Sequence, residues 1–310
     1  MSQQQHLPKT LLEAIRYFSD RDVCVDFVAK LRWPDGPVCP RCEGTEHSFL
    51  KTRRIWKCKN CKRQFSVKVG TIFEDSPLGL DKWLPAVWLA ANSKNGISSH
   101  ELGRALGITQ KSAWFMLHRI RLAMQKGSLS ALAGEVEIDE TYIGGKARNM
   151  HKRERQRKIT GRGGHNKTVV MGFRERGGEV RTQIVPNTHG TTFKREVSDN
   201  VAPGAAVFTD DHGGYRGLEG MGYEHETVDH AERYVDGRVH TNGLENFWAL
   251  LKRGIVGTYA GVEPFHLFRY LDERTYAFNE RDTGDLGRFE GVLSAANGRR
   301  LRYSELTGKS

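Results

Sequence analysis

Four of the five cysteines fall in two short pairs, "CPRC" at 39–42 and "CKNC" at 58–61, with fifteen residues between the pairs. No other stretch restricts the local fold so tightly. A C-x2-C turn aims two sulfurs at one point, and two such turns on neighbouring hairpins complete a tetrahedron. Cys39, Cys42, Cys58 and Cys61 would then hold one structural Zn²⁺, with no coordination position left open. A segment this small buries too little core to fold alone, so the metal would supply its folding energy. Two disulfides are the competing reading, and a reducing compartment disfavours them. The opening "MSQQQHLPKT" has no charged segment followed by an apolar core. No stretch approaches the roughly 20 apolar residues of a membrane span. A cytoplasmic protein with no membrane partner is therefore expected. Cys24 stands apart and reads as a small buried apolar residue.

The net charge of +11 over 310 residues is unevenly placed. Residues 1–36 hold five basic and five acidic side chains, 37–127 hold sixteen and six, and 128–310 hold 27 and 26. A basic module beside a balanced one suggests a phosphate-binding part joined to something else. Within it, 37–70 carries nine basic residues and two acids, with Trp56 and Phe65 interleaved. That composition suits a nucleic-acid-binding ribbon, although a ribbon used for protein contacts could share it.

A short helix is expected over 10–30, from Leu11, Leu12, Ile15, Phe18 and Val25. Residues 77–127 read as three helices. Ser98 with Glu101 forms a capping box, Gly107 fits a helix stop, and Thr109 caps the next helix. Ala113, Met116, Ile120 and Ala123 make that helix's apolar row. Two helices joined by a Gly-containing turn have the helix-turn-helix outline, a shape shared by plain packing units. In the DNA-binding version the second helix offers its first residues to the major groove. Those are Gln110, Lys111 and Ser112, with Arg119 and Arg121 expected nearer the backbone phosphates.

After Gly127 the pattern changes to strands at 135–139, 168–173, 180–185 and 205–210, with a helix near 190–200. This order implies an α/β domain. In "EVEIDE", Val136 and Ile138 face one way and Glu137 and Asp139 the other. Asp139 ends one strand and Asp210 another, at positions that line active crevices in α/β domains and that also suit turn formers. In "TNGLENFWALLKRG", Asn242, Glu245 and Lys252 share one helical stripe, while Trp248, Leu250 and Leu251 belong to core faces. Two strand-end aspartates and a helical glutamate are hard oxygen ligands of the kind that bind Mg²⁺ or Mn²⁺. Glu140 and Asp211 read as turn residues or outer supports of that set.

Asp139, Asp210 after 70 residues, Glu245 after 34 more, and then Lys252 resemble the DDE transposase–integrase signature. "EIDETYIGGK", "FTDDHGGY" and "HTNGLENFWALLKRG", preceded by the two cysteine pairs, are similar to zinc-ribbon DDE transposases of bacterial insertion sequences. The resemblance spans roughly residues 20–275. It implies an RNase H-like fold, a mixed sheet flanked by helices, preceded by a zinc ribbon and a helix-turn-helix segment. It also implies two catalytic Mg²⁺ or Mn²⁺ ions and a DNA partner, both element terminal repeats and target. It implies a homo-oligomer on paired ends and no nucleotide cofactor. Asp139 would bridge the ions, Asp210 and Glu245 would hold one each, and Lys252 would contact the substrate phosphate. Some members have Asn as third ligand, which leaves Asn242 as the alternative to Glu245. A non-catalytic DNA-binding regulator and a nuclease that cuts without joining are the rival functions. The expected division is a helical lead-in (1–36), ribbon (37–75), helix-turn-helix segment (76–128), catalytic domain (129–278) and polar tail (279–310). Residues 146–167 carry nine basic side chains and one acid, so Lys152, Arg153, Arg155, Arg157 and Lys158 are expected to grip the DNA backbone.

Overall fold

The computed structural model describes residues 6–125, 130–145, 151–153, 167–228, 240–259 and 261–308. The chain divides into two compact units, residues 1–125 with 280–310 and residues 126–279.

In the first unit the helix expected over 10–30 is two helices, α1 (Leu11–Tyr17) and α2 (Arg21–Arg32). The break has a local cause. The Asp20 carboxylate accepts the Asp22 N–H and starts a new helix three residues after the first ends. The ribbon is an antiparallel meander of β1 (His47–Leu50), β2 (Ile55–Cys58) and β3 (Gln64–Phe65). Trp33, at the end of α2, packs edge-on against Trp56 and Phe65 with ring centres 5.4 and 5.9 Å away.

Three helices follow: α3 (Leu80–Asn92), α4 (Ser99–Leu106) and α5 (Gln110–Met124). The Ser98–Glu101 capping box forms, Gly107 ends α4 at φ 63°, and the Thr109 hydroxyl accepts the Ser112 N–H. Ala113, Met116, Ile120 and Ala123 are buried together.

Two expectations fail in this unit. Arg119 and Arg121 do not reach out to phosphates, being only 4% and 1% exposed. Arg119 instead donates to the carbonyls of Ile72, Glu74 and Leu301. Nor is 279–310 a polar tail. A helix over Asp285–Ser294 sets Phe289 against Phe18, Phe27 and Trp88, with ring centres 5.1 to 6.0 Å apart. Leu301 and Leu306 beyond it are also buried. The polar letters of "NGRRLRY" hide a segment whose few apolar residues complete the first unit's core.

The second unit is built on a five-stranded mixed sheet. Its strands are β4 (Glu135–Ile143), β5 (Thr168–Glu175), β6 (Val180–Val185), β7 (Ala206–Asp210) and β8 (Glu224–Val228). The order is β6-β5-β4-β7-β8. The pairs β4–β5 and β5–β6 are antiparallel, and β4–β7 and β7–β8 are parallel. This is the order 3-2-1-4-5 of the expected RNase H-like fold. Val136, Ile138, Met171 and Phe173 meet α6 (Gly190–Asn200) on one face, through Phe193 and Val197. On the other face lie α7 (Asn242–Gly257) and α8 (Leu267–Asn279), through Leu244, Phe247, Trp248, Leu251 and Leu271. Gly172 permits the close approach of α7, since a Cβ there would lie 2.5 Å from Trp248 Cζ2.

Candidate functional site: a four-thiol cluster and an acidic centre

The four ribbon cysteines converge. Their sulfurs all lie within 4.8 Å of one another, with Cys39–Cys61 at 3.7 Å and Cys42–Cys58 at 3.5 Å. A tetrahedron with zinc–sulfur bonds of ~2.3 Å has edges of ~3.8 Å, so this donor set fits one zinc ion. The knuckle backbone favours the thiolate form. The Arg41 N–H, with that of Cys42, draws the Cys39 thiol down to about 7, and the N–H groups of Cys61 and Asn60 lower Cys58. Cys24 is buried, away from this cluster in sequence, and donates to the Phe18 carbonyl.

The acidic centre lies in the second unit. β4 and β7 run parallel, with Glu137 opposite Phe208. Two more steps along the register bring Asp139 beside Asp210. Asp139, Asp210 and Glu140 place carboxylate oxygens within 4.8 Å of one another. Glu140 therefore belongs to the cluster, where the sequence reading had it as a turn residue or an outer support. Asp139 and Glu140 leave opposite faces of β4. Asp139 Oδ2 accepts the Trp248 indole N–H at 2.9 Å on the α7 side. Glu140 Oε2 accepts the hydroxyl of buried Tyr215 at 2.8 Å on the α6 side. Trp248 thus lies in the core, as its apolar face predicts, and also hydrogen-bonds the cluster, while Tyr215, which the sequence reading passed over, does so from the other face.

Three clustered carboxylates repel one another. Burial first, then the charges of Glu140 and Asp210, push Asp139 up to about 7. Burial and Asp210 likewise raise Glu140 to about 7. Both lie well above the ordinary carboxylate values near 4. Between roughly pH 4 and 7 the native chain holds protons on these groups that the unfolded chain has released, so stability falls as pH rises through that window. A divalent ion displaces those protons and neutralises the repulsion. In buffer free of Mg²⁺ and Mn²⁺, the urea midpoint is therefore expected to drop between pH 5 and pH 8. Added Mn²⁺ should restore it, and Asp139→Asn should flatten the drop. An unchanged midpoint across that range in the wild-type chain would contradict the clustering.

Glu245, Asn242 and Lys252 are exposed residues of α7, and Glu245 lies outside the three-carboxylate cluster. In the α4–α5 pair, Gln110 and Lys111 are exposed. Gln110 donates to Ser99 Oγ at 2.8 Å, and the Lys111 ammonium stands 5.0 Å over the Tyr303 ring. Ser112 is half-buried, its hydroxyl 2.9 Å from that of Thr109. Lys152 and Arg153 are exposed, whereas Arg155, Arg157 and Lys158 lie outside the described residues. Among the described residues, no helix is long and apolar enough to cross a membrane.

Comparison with known proteins agrees with both centres. Residues 131–279 match the ISXO2-like transposase domain, and residues 19–64 match a transposase zinc-ribbon domain. A protein in transposable element ISH50 of Halobacterium salinarum is 28% identical over 270 residues, covering 83% of this chain and 90% of that protein. A transposase-like protein of Haemophilus influenzae is 28% identical over 104 residues, 34% of this chain and 84% of its own length. With a four-cysteine ribbon followed by an RNase H-like domain that gathers Asp139 and Asp210, the chain belongs to the DDE-type transposases of insertion sequences that carry an N-terminal zinc ribbon.

Proposed function

We propose that this transposase binds the ends of its insertion sequence and carries out both phosphodiester hydrolysis and strand transfer into target DNA. The observation that carries the reading is the convergence of Asp139 and Asp210, separated by 70 intervening residues, beside the helix that bears Glu245 and Lys252. Asp139, Asp210 and Glu245 would hold two Mg²⁺ or Mn²⁺ ions. Such a pair, when bound, activates an attacking hydroxyl and stabilises the leaving oxygen of an in-line displacement. Glu140 adds charge to the cluster and can support or share ligation.

Glu245 fits the third position better than Asn242. At about 100° per residue, Glu245 and Lys252 lie about 60° and 40° around the helix from Trp248, which touches Asp139, while Asn242 lies about 120° away. A carboxylate also neutralises ion charge where an amide cannot. Lys252 would meet a substrate phosphate. In the first reaction a water oxygen bonds to phosphorus at the element end, and the 3′-oxygen leaves as a free hydroxyl. That hydroxyl then attacks a target phosphodiester, forming the new 3′–5′ link and expelling the target's own 3′-oxygen. No covalent protein intermediate is needed. Gln110, Lys111 and Ser112 would meet the terminal repeat, and the basic segment 146–167 would grip the backbone. The chain would act as an oligomer on two paired ends.

The test is incubation of the full chain with its own element's end duplexes, a supercoiled plasmid and Mg²⁺ or Mn²⁺. Joined plasmid products are expected. Nicked ends without joining would make the protein a nuclease, and bound but uncut ends would make it a regulator.

A further inference from the structure

β4 carries another buried acid, which the acidic cluster leaves unused. Glu137 is 0% exposed and lies two residues before Asp139 on the same face. Its Oε1 accepts from Arg174 Nη1 at 3.2 Å and from Arg176 Nε at 3.4 Å, with His240 Nδ1 at 3.5 Å. Its Oε2 accepts the backbone N–H of Leu244 at 3.0 Å, in the first turn of α7. Arg176 donates to the His240 carbonyl at 3.1 Å and lies 4.3 Å over the Phe208 ring.

α7 has no cap from its own sequence. The buried Thr241 hydroxyl, at the N-cap position, makes no capping bond and has no hydrogen-bond partner among the described residues. First-turn N–H groups need acceptors, and the positive end of a helix favours a carboxylate. Glu137 supplies both from a different element. Gly243 makes the approach possible. A Cβ there would overlap the Arg174 guanidinium and stand 2.6 Å from Glu137 Oε2.

Two residues of one strand face therefore grip one helix. Glu137 holds Leu244, and Asp139 holds Trp248. Positions i and i+2 of a strand are about 6.7 Å apart, and positions i and i+4 of a helix rise about 6 Å, so the two anchors set strand and helix in register.

We propose that Glu137 is a positioning residue. By capping α7 from β4, it fixes how far the Glu245–Lys252 edge stands from Asp139 and Asp210, and so sets divalent-ion affinity without touching ion or DNA. This rests on the ligand role proposed above for Glu245. A buried ion pair serving stability alone would not need its second oxygen on the first turn of α7.

The experiment compares the full-length wild type, Glu137→Gln, Gly243→Ala and Asp139→Asn by amide hydrogen exchange across 240–251 and by calorimetric titration with Mn²⁺. Glu137→Gln keeps an acceptor oxygen but releases both guanidinium groups. It is expected to speed exchange in the first turn of α7 and to weaken Mn²⁺ binding about 10- to 100-fold, the usual range for residues that orient a metal's ligands. Its binding to the element-end duplex without Mn²⁺ should match wild type. A folded Glu137→Gln with wild-type exchange at α7 and Mn²⁺ affinity within two-fold of wild type would overturn the proposal. If Glu137→Gln does not fold, Gly243→Ala is read in its place with the same expected and overturning results, because its Cβ would displace Arg174 and crowd Glu137 Oε2 off the Leu244 N–H while the acid itself is retained. If wild type and Asp139→Asn titrate identically, the metal reading fails, and exchange at α7 alone then decides whether Glu137 holds the helix.

Discussion

Replacing Asp139 by Asn is expected to lower strand joining by at least about 10⁴-fold, a loss near 5.4 kcal/mol of transition-state stabilisation. The substitution is nearly isosteric. The amide oxygen can still accept the Trp248 indole N–H, so α7 stays docked on β4. What disappears is the negative charge at the centre of a cluster whose other members are Glu140 and Asp210. That charge raises the energy of the protein without divalent ions, as the upward shift of Asp139 to about 7 shows. The variant should therefore melt no lower than wild type in such buffer, the usual exchange between stability and function at an active site. Gel-shift affinity for the element-end duplex should be unchanged, because in the proposed role Asp139 would hold ions and not meet the duplex backbone. Joining above about 1% of wild type would mean that the chemistry is carried elsewhere.

How much of this site the sequence exposes depends on which interactions are local. Strands β4 to β7 are readable because Val136, Ile138, Val170, Val207 and their neighbours are apolar on the faces they bury. β8, "EHETV", is not readable: Val228 is its one fully buried residue, so no alternation marks it. Asp210 stands out as an acid ending an apolar strand, whereas Asp139, expected to end its strand, lies in the middle of β4, which runs on through Thr141 to Ile143 because β5 pairs with it over that length. Glu140 does not stand out, since adjacent strand residues point to opposite faces and only the end of β7 brings Asp210 within reach of both. Glu137 looks like a solvent-facing acid in an alternating strand until Arg174, Arg176 and the first turn of α7 surround it, the last 107 residues away. Arg119 fails in the same way. Its partners are carbonyls 45 to 182 residues distant, which no helical wheel reveals. The caps at Ser98, Gly107 and Thr109 were legible because each is settled within four residues.

Loss of zinc is expected to unfold the ribbon outright. Binding of a structural zinc by small Cys-rich modules contributes roughly 10–16 kcal/mol near pH 7. Whole domains are stable by only about 5–15 kcal/mol. The ribbon has no comparable reserve, since its three strands hold four, four and two residues. Its apolar contacts centre on Trp56 and Phe65, with Trp33 seated against both. Elemental analysis should find one zinc per chain, and Cys58→Ser or a strong chelator should red-shift tryptophan emission as the Trp33–Trp56 contact opens. Acid should act in the same direction, because zinc binding needs the thiolate forms and protons compete for them. Less than one zinc per chain, or emission unchanged by chelation, would contradict a four-thiolate centre. Either result would leave the 3.5 and 3.7 Å sulfur spacings without a cause, because free thiols gain too little from one another to hold two knuckles together.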